Sequence, residues 1–375
     1  MDATRTGPDG GVLGHAPAVD VAVTDAIAAL CAELRGIDPG LAPAADLLAD
    51  AASGGKRLRG ALVRWSYTAH AGAGAGGSGA GGSGAGGSGA GADAVTGAAV
   101  AVELVHLSAL VHDDVIDRTD LRRGLPSVHV RAGALHPAQD GPGAREHGRN
   151  VAILLGDVLL AAAPGPLATC RVDADALAAA HAALVRLQVE VMAGQYLDVD
   201  AAAARSADPA RALTIATLKS GRYSVSRPLE LGALLAGADA TTASALLQVG
   251  DPLGLAFQLR DDLLGVFGDP EVTGKPAGSD LVEGKRTLFV AETLARLDAA
   301  ERTAFDAALG VEGLDDAAVA HLAATVERSG ARAAVEERVE AAAAQARDAI
   351  GRLPLAAEHR ADLAELAGWM TTRAH

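Results

Sequence analysis

The sequence predicts an all-α protein, and three observations predict it. Half of the residues are hydrophobic but only 2% are aromatic, so the core must be mainly Ala, Leu and Val, and Ala and Leu are strong helix formers. Apolar side chains recur on helical spacing, as at Leu104, Leu107, Val111 and Val115. The 45 glycines are too many for an evenly mixed helical chain, and 12 of them fall in one tract, residues 71–92.

With 375 residues the chain can form one large or two ordinary domains. A net charge of −15 argues against broad nucleic-acid binding. The only two cysteines, Cys31 and Cys170, make no disulfide framework and point to a reducing, cytoplasmic compartment. No run of about 18 apolar residues is expected to span a bilayer. The opening MDATRTGPDGG has neither the basic nor the apolar region of a secretory signal.

Residues 1–17 are aperiodic and contain Gly and Pro, which predicts a disordered tail. A helix is expected from about Val19 to Leu34. Next comes Gly54-Gly55-Lys56-Arg57-Leu58-Arg59-Gly60, where glycines permit close backbone approach and three cations fall within four positions. Alone, this reads as a solvated basic helix start. Residues 71–92 carry three copies of Gly-Gly-Ser-Gly-Ala, a composition that buries no core and behaves as flexible coil. The expectation is a loop insertion within a single domain over 18–375.

Helix resumes near Asp93 and runs into ELVHLSALVHDDVIDRTDLRRGLPSVH, residues 103–129. Out of its apolar run come Asp113, Asp114 and Asp117. Asp113 and Asp117 are four residues apart, hence stacked about 6 Å apart along a helix axis. Two like charges so placed repel unless a cation sits between them, and hard oxygen ligands suit Mg²⁺. Arg122 and Arg123 follow, and guanidinium groups favour bidentate contact with phosphate. Metal-binding acids followed by a basic pair suggest a metal-bridged phosphate ligand. His106 lies two turns before Asp113 on the same face and, taken alone, reads as a hydrogen-bonded core residue. His112 points elsewhere and reads as structural.

Residues 132–148 read as a loop. Asp157 interrupts the apolar helix NVAILLGDVLL, and a buried acid there needs a partner. Helix continues through 173–205 and contains Gly194-Gln195-Tyr196-Leu197-Asp198. In TLKSGRYSVSRPL, Lys219 and Ser220 precede Gly221, which favours a kinked helix near a ligand. Phe257–Asp269 holds a second acid cluster, Asp261 and Asp262, with Gln258 one turn before Asp261 on its face. Residues 268–287 form a Gly- and Pro-containing mobile loop presenting Lys275 and Lys285. The remainder reads as amphipathic helices.

The order HDD-x-x-D then RRG-x-P-x-x-H resembles the first aspartate-rich motif of the trans-prenyltransferases, or isoprenyl diphosphate synthases. GGKRLR, GQ-x-x-D, the Lys-Ser pair, FQ-x-x-DD and GK…GKRT appear in that family's order over about residues 50–290. The resemblance implies an isoprenoid-synthase-type helical bundle around a central cavity, usually a homodimer. It implies a Mg²⁺-dependent, head-to-tail condensation of isopentenyl diphosphate with an allylic diphosphate. Asp113, Asp117 and Asp261 would hold magnesium, three ions in all. Arg122, Lys219, Ser220, Gln258, Lys275 and Lys285 would meet the allylic diphosphate, and Lys56, Arg59, His106 and Arg123 isopentenyl diphosphate. GQ-x-x-D would support the acids, and Arg57 would serve a salt bridge or the surface.

Two departures stand out. Gly60 replaces the family's usual Pro, and Gly265 replaces the third acid of DD-x-x-D, which leaves the roles of Asp262 and Asp269 open. Ser108 and Ala109, one turn before Asp113, are small where short-chain members carry bulky aromatics, which implies a C20 (geranylgeranyl) or longer product. Two other readings stay open. An HD-type metal phosphohydrolase would need further His ligands upstream, for which His15 and His70 are the only candidates. A non-catalytic partner subunit would be expected to lose acids or the RRG arginines.

Overall fold

The computed structural model describes residues 10–71, 88–122, 124–138, 140–268, 277–311 and 313–372. Among them the chain is almost wholly helical, as expected, and falls into two compact units. The first comprises Gly10–Leu184 with Glu230–Asp239, the second Val185–Leu229 with Ala240 onward.

In the first unit, helix α1 (Ala16–Ile37) is followed by α2 (Ala42–Ala51), α3 (Leu58–Ala71), α4 (Ser88–Asp93) and α5 (Thr96–Ile116). Helix α5 is the centre: every residue from Ala98 to Val105 is buried, the pattern of a helix enclosed on all sides. Helices α1 and α3, together with α7 (Pro142–Ala162) and α8 (Pro164–Ala168), pack around it. Gly97 lets α8 approach, since a Cβ there would lie 2.9 Å from the Pro166 carbonyl carbon. Between α5 and α7 lie a two-residue hairpin, β1 (Leu121–Arg122) and β2 (Leu125–Pro126), and helix α6 (Val128–Ala134). Its turn uses Gly124 at φ +75°.

The second unit is built on α12 (Ala240–Phe267). Before it come α9 (Ala174–Ala203), which begins in the first unit and continues here from Val185, then α10 (Pro209–Ile215), a π-helical segment (Ala216–Ser226) and α11 (Arg227–Leu235), which returns to the first unit at Glu230. After it come α13 (Ser279–Val282), α14 (Leu288–Arg296), α15 (Ala299–Ala308), α16 (Asp316–Arg328), α17 (Ala331–Arg352) and α18 (Ala357–Thr372). Its core joins Leu259, Leu263 and Val266 of α12 to Phe289, Val335 and Val339. Phe267 meets Phe289 edge-on at 6.1 Å, and the Arg332 guanidinium covers the Phe267 ring at 4.8 Å.

Several expectations are corrected. Residues 10–17 are ordered, with a 3₁₀ turn at Leu13–His15, because Val12 is buried against the first unit. Residues 1–9 and 72–87 lie outside the described residues, but the end of the Gly-rich tract, Ser88–Ala92, is helical, with Ala92 fully buried. Helices α6 and α7 claim both ends of the loop expected over 132–148, up to Ala134 and from Pro142. Finally, the stretches Pro142–Ala168 and Ala174–Ala203 are long and apolar enough to cross a bilayer, contrary to the sequence reading. Alanine supplies much of that apolarity, and Asp157, Pro164 and Pro166 interrupt the first stretch.

Candidate active site

The first acid cluster sits at the end of α5. The Asp117 amide donates to the Asp113 carbonyl at 2.8 Å, so helical geometry continues through both acids and they share a face. Asp113 and Asp117 are half-buried and Asp114 is buried. The sequence signal that separates them is one step of helical rotation. Asp114 instead receives Arg122, whose Nε donates to both carboxylate oxygens at 2.8 Å. Arg122 Nη2 also lies 3.8 Å from Asp113 Oδ2. The β-hairpin thus brings the first arginine of RRG back onto the acids. Arg123 lies outside the described residues.

Upstream on α5, His106 and Ala109 are half-buried and Ser108 is buried. His112 bonds the Ile153 carbonyl of α7 at 3.0 Å and lies 3.5 Å from Asp157, whose side chain is exposed and not buried as expected. His70 is buried and bonds the Ser66 carbonyl at 2.7 Å. His70, one of the two upstream candidates for an HD-type hydrolase, is thus held by its own helix. In the basic loop, Lys56 is exposed and Arg59 half-buried, while Arg57 turns inward.

The second cluster sits on α12. Asp261 is half-buried, whereas Asp262 is buried and held well above the carboxylate range, to about 8. Burial is the main cause, followed by the negative charge of Asp280; Asp261 adds to it, and Gln258 and Lys285 oppose it. Gln258 donates to Asp262 Oδ1 at 2.6 Å, which corrects its expected alignment with Asp261. The i,i+4 pair outcompetes the i,i+3 pair here. A Cβ on Gly265 would fall 2.7 Å from Cγ of Asp280, so the carboxylate of Asp280 on α13 fills the space a third acid would take. The sequence reading missed Asp280, which sits inside the presumed mobile loop. Asp269 and Lys275 lie outside the described residues, and Lys285 pairs with Glu283 at 2.6 Å.

Lys219 and Ser220 lie on the π-helical segment, a local widening of the helix often found at functional sites. This is the irregularity that Ser220-Gly221 signalled, though as a π-helix and not a kink. Lys219 Nζ lies 2.6 Å from Asp198 Oδ2, which ties the Lys-Ser pair to GQ-x-x-D on α9. Gly194 allows the approach: a Cβ there would lie 2.7 Å from Cα of Lys219. Beside them Glu190 gathers Arg222 at 3.3 Å and Arg227 at 2.6 Å, and Asp251 takes Arg222 and the Ser226 hydroxyl.

Among the described residues no three His, Cys, Asp or Glu side chains converge as a ready-made metal cage. Mg²⁺ is commonly held by one or two carboxylates, with water and substrate phosphates completing the shell. Asp113 and Asp117 in the first unit, and Asp261 in the second, are half-buried carboxylates of that kind, so each acid cluster by itself fits such an ion.

An all-α fold with acid-bearing helices of this kind is that of the isoprenyl diphosphate synthases. Residues 44–326 match the polyprenyl synthetase family. A geranylfarnesyl diphosphate synthase from Aeropyrum pernix is 33% identical over 259 residues, 68% of this chain and 75% of that protein. A geranylgeranyl diphosphate synthase from Mycobacterium tuberculosis is 35% identical over 320 residues, 82% of this chain and 79% of that one. A crystal structure of a geranylgeranyl pyrophosphate synthase from Corynebacterium glutamicum, complexed with isoprenyl diphosphate and magnesium, superposes with a TM-score of 0.83. It is 34% identical and covers 95% of this chain and 98% of its own. The chain belongs to the polyprenyl synthetase family. It is a prenyltransferase that condenses isopentenyl diphosphate head to tail with an allylic diphosphate, and the family is magnesium-dependent.

Proposed function

We propose that the enzyme makes an all-trans prenyl diphosphate of C20, geranylgeranyl diphosphate, or longer, and that the two acid clusters and the basic loop divide the work. Asp113 and Asp117 on α5 and Asp261 on α12 hold magnesium, three ions in all. When bound, these ions neutralise the departing diphosphate so that the allylic C–O bond can ionise. Arg122, Lys219, Ser220, Gln258, Lys275 and Lys285 add positive charge and hydrogen-bond donors to the same group. Lys56, Arg59, His106 and Arg123 orient isopentenyl diphosphate, whose double bond attacks the allylic carbon before a proton is lost.

The observation that carries this reading is the half-buried Asp113–Asp117 face at the mouth of an otherwise enclosed apolar helix. The small Ser108 and Ala109 just upstream support a long product, since a growing tail would run past them. The continuous family match across residues 44–326 supports one prenyltransferase domain over 18–375. The buried, unlinked thiols Cys31 and Cys170 fit a cytoplasmic setting. On α9, Val185, Val189, Met192, Tyr196 and Val199 are exposed at heptad spacing, which supports a homodimer through that stripe.

Labelled isopentenyl diphosphate supplied with dimethylallyl, geranyl and farnesyl diphosphates tests the reading, with product lengths read by chromatography. Asp113→Asn is expected to lower kcat on the order of 100-fold and to raise the magnesium concentration needed for half-maximal rate. A chain inactive alone that stimulates a partner synthase would establish the non-catalytic reading instead.

A further inference from the structure

We infer that Glu103 is a positioning residue for isopentenyl diphosphate, acting through a clamp of Asp20, Arg57 and Glu103 on the basic loop. The inference rests on the reading of Lys56 and Arg59 as contacts to that substrate. Arg57 stands between them in sequence but is turned inward, 5% exposed. Its Nε donates to Asp20 Oδ1 at 2.8 Å and its Nη2 to the Ala52 carbonyl at 2.7 Å. Its Nη1 lies 3.9 Å from Glu103 Oε2. The other oxygen of Glu103 accepts the Gly60 amide at 2.9 Å. Glu103 therefore engages the loop at both ends of the Arg57–Gly60 stretch, from α5, one turn before His106.

The loop needs such a hold. Gly54, Gly55 and Arg57 have φ of +71°, +103° and +48°. An arginine in the left-handed region persists only where its surroundings over-determine it. Glu103 is 2% exposed, and a carboxylate so buried is stabilised only by full partnering. Removing it leaves Arg57 with only Asp20 and the Ala52 carbonyl, takes away the acceptor of the Gly60 amide, and lets Lys56 and Arg59 drift apart. The allylic side of the reaction draws on other residues, so the effect should be confined to one substrate.

The test combines calorimetric titration of isopentenyl diphosphate with steady-state kinetics for both substrates, on the full chain and on Glu103→Ala, Glu103→Gln and Asp20→Asn. Glu103→Ala is expected to raise Kd and KM for isopentenyl diphosphate about tenfold, with KM for the allylic diphosphate and kcat within about twofold. Glu103→Gln keeps an acceptor for the Gly60 amide and should recover most of the loss. Asp20→Asn, on a largely exposed side chain, should shift the same constant by about threefold. Equal rises in both KM values, or a lowered melting temperature at unchanged Kd, would overturn the inference. If Glu103→Ala does not fold, unchanged affinity in both Glu103→Gln and Asp20→Asn would overturn it. Failure of the wild-type chain to bind isopentenyl diphosphate, while an allylic diphosphate still binds, would overturn the underlying reading as well, and that arm is separate from the variants.

Discussion

The carboxylate of Asp280 occupies the place where a side chain on Gly265 would stand, 2.7 Å from that Cβ position to Cγ. A missing acid on α12 is therefore matched by one supplied from α13. Gly265→Asp alone should overpack the site and set two carboxylates against each other, lowering stability by about 1–3 kcal/mol. Gly265→Asp combined with Asp280→Gly should recover most of it. Thermal melts of the single and double variants check this, and a double variant no better than the single would refute the exchange.

Asp262 makes stability depend on pH. Its folded value of about 8 stands above the ordinary 3.8. A carboxyl raised in this way stabilises the fold while protonated, fully below its unfolded value, and that contribution is lost as pH rises through about 8. Asp262→Asn should therefore raise the melting temperature of the ligand-free protein most at about pH 8.5, with the gap closing toward about pH 5. A gap that widens at low pH would reverse the sign and refute the assignment.

Product length should respond to Ala109. It is half-buried one turn before Asp113, and Phe adds a ring where the tail is proposed to pass. Ala109→Phe should shift the main product at least one isoprene unit shorter, read by chromatography of the dephosphorylated alcohols. Identical lengths from both enzymes would show that the tail runs elsewhere.

The stripe on α9 predicts assembly. Tyr196 is 71% exposed and Val189 59%, which is unusual for apolar groups at heptad spacing. Val189→Glu with Tyr196→Glu should shift the sedimentation coefficient from dimer to monomer while leaving the helical circular dichroism intact. An unchanged dimer would move the interface to another face.

Much of this was legible in the sequence because the strongest signals were periodic. The apolar spacing of Leu104, Leu107 and Val111 predicted α5, and the acids that interrupt it marked its end. What the sequence hid was partnership. Nothing in the spacing distinguishes Gln258 facing Asp261 from Gln258 bonding Asp262, because both lie one turn away. Gly60 read only as a departure from the family's usual Pro, but its amide is used by Glu103, and a Cβ there would press Val19 at 2.6 Å. Asp280 was overlooked because Gly and Pro around it suggested only a loop. Long-range pairing of this kind is written in three dimensions and leaves no local pattern.

The π-helical segment Ala216–Ser226 makes chain length matter as much as side-chain identity along one stretch. An α-helix turns about 100° per residue, so deleting a single residue there would swing the Lys219 amine by roughly that angle. It would part from Asp198 although every motif still read correctly. Kin of this enzyme should accordingly tolerate exchanges at positions of this segment other than Lys219, Ser220 and Ser226 far better than a gap.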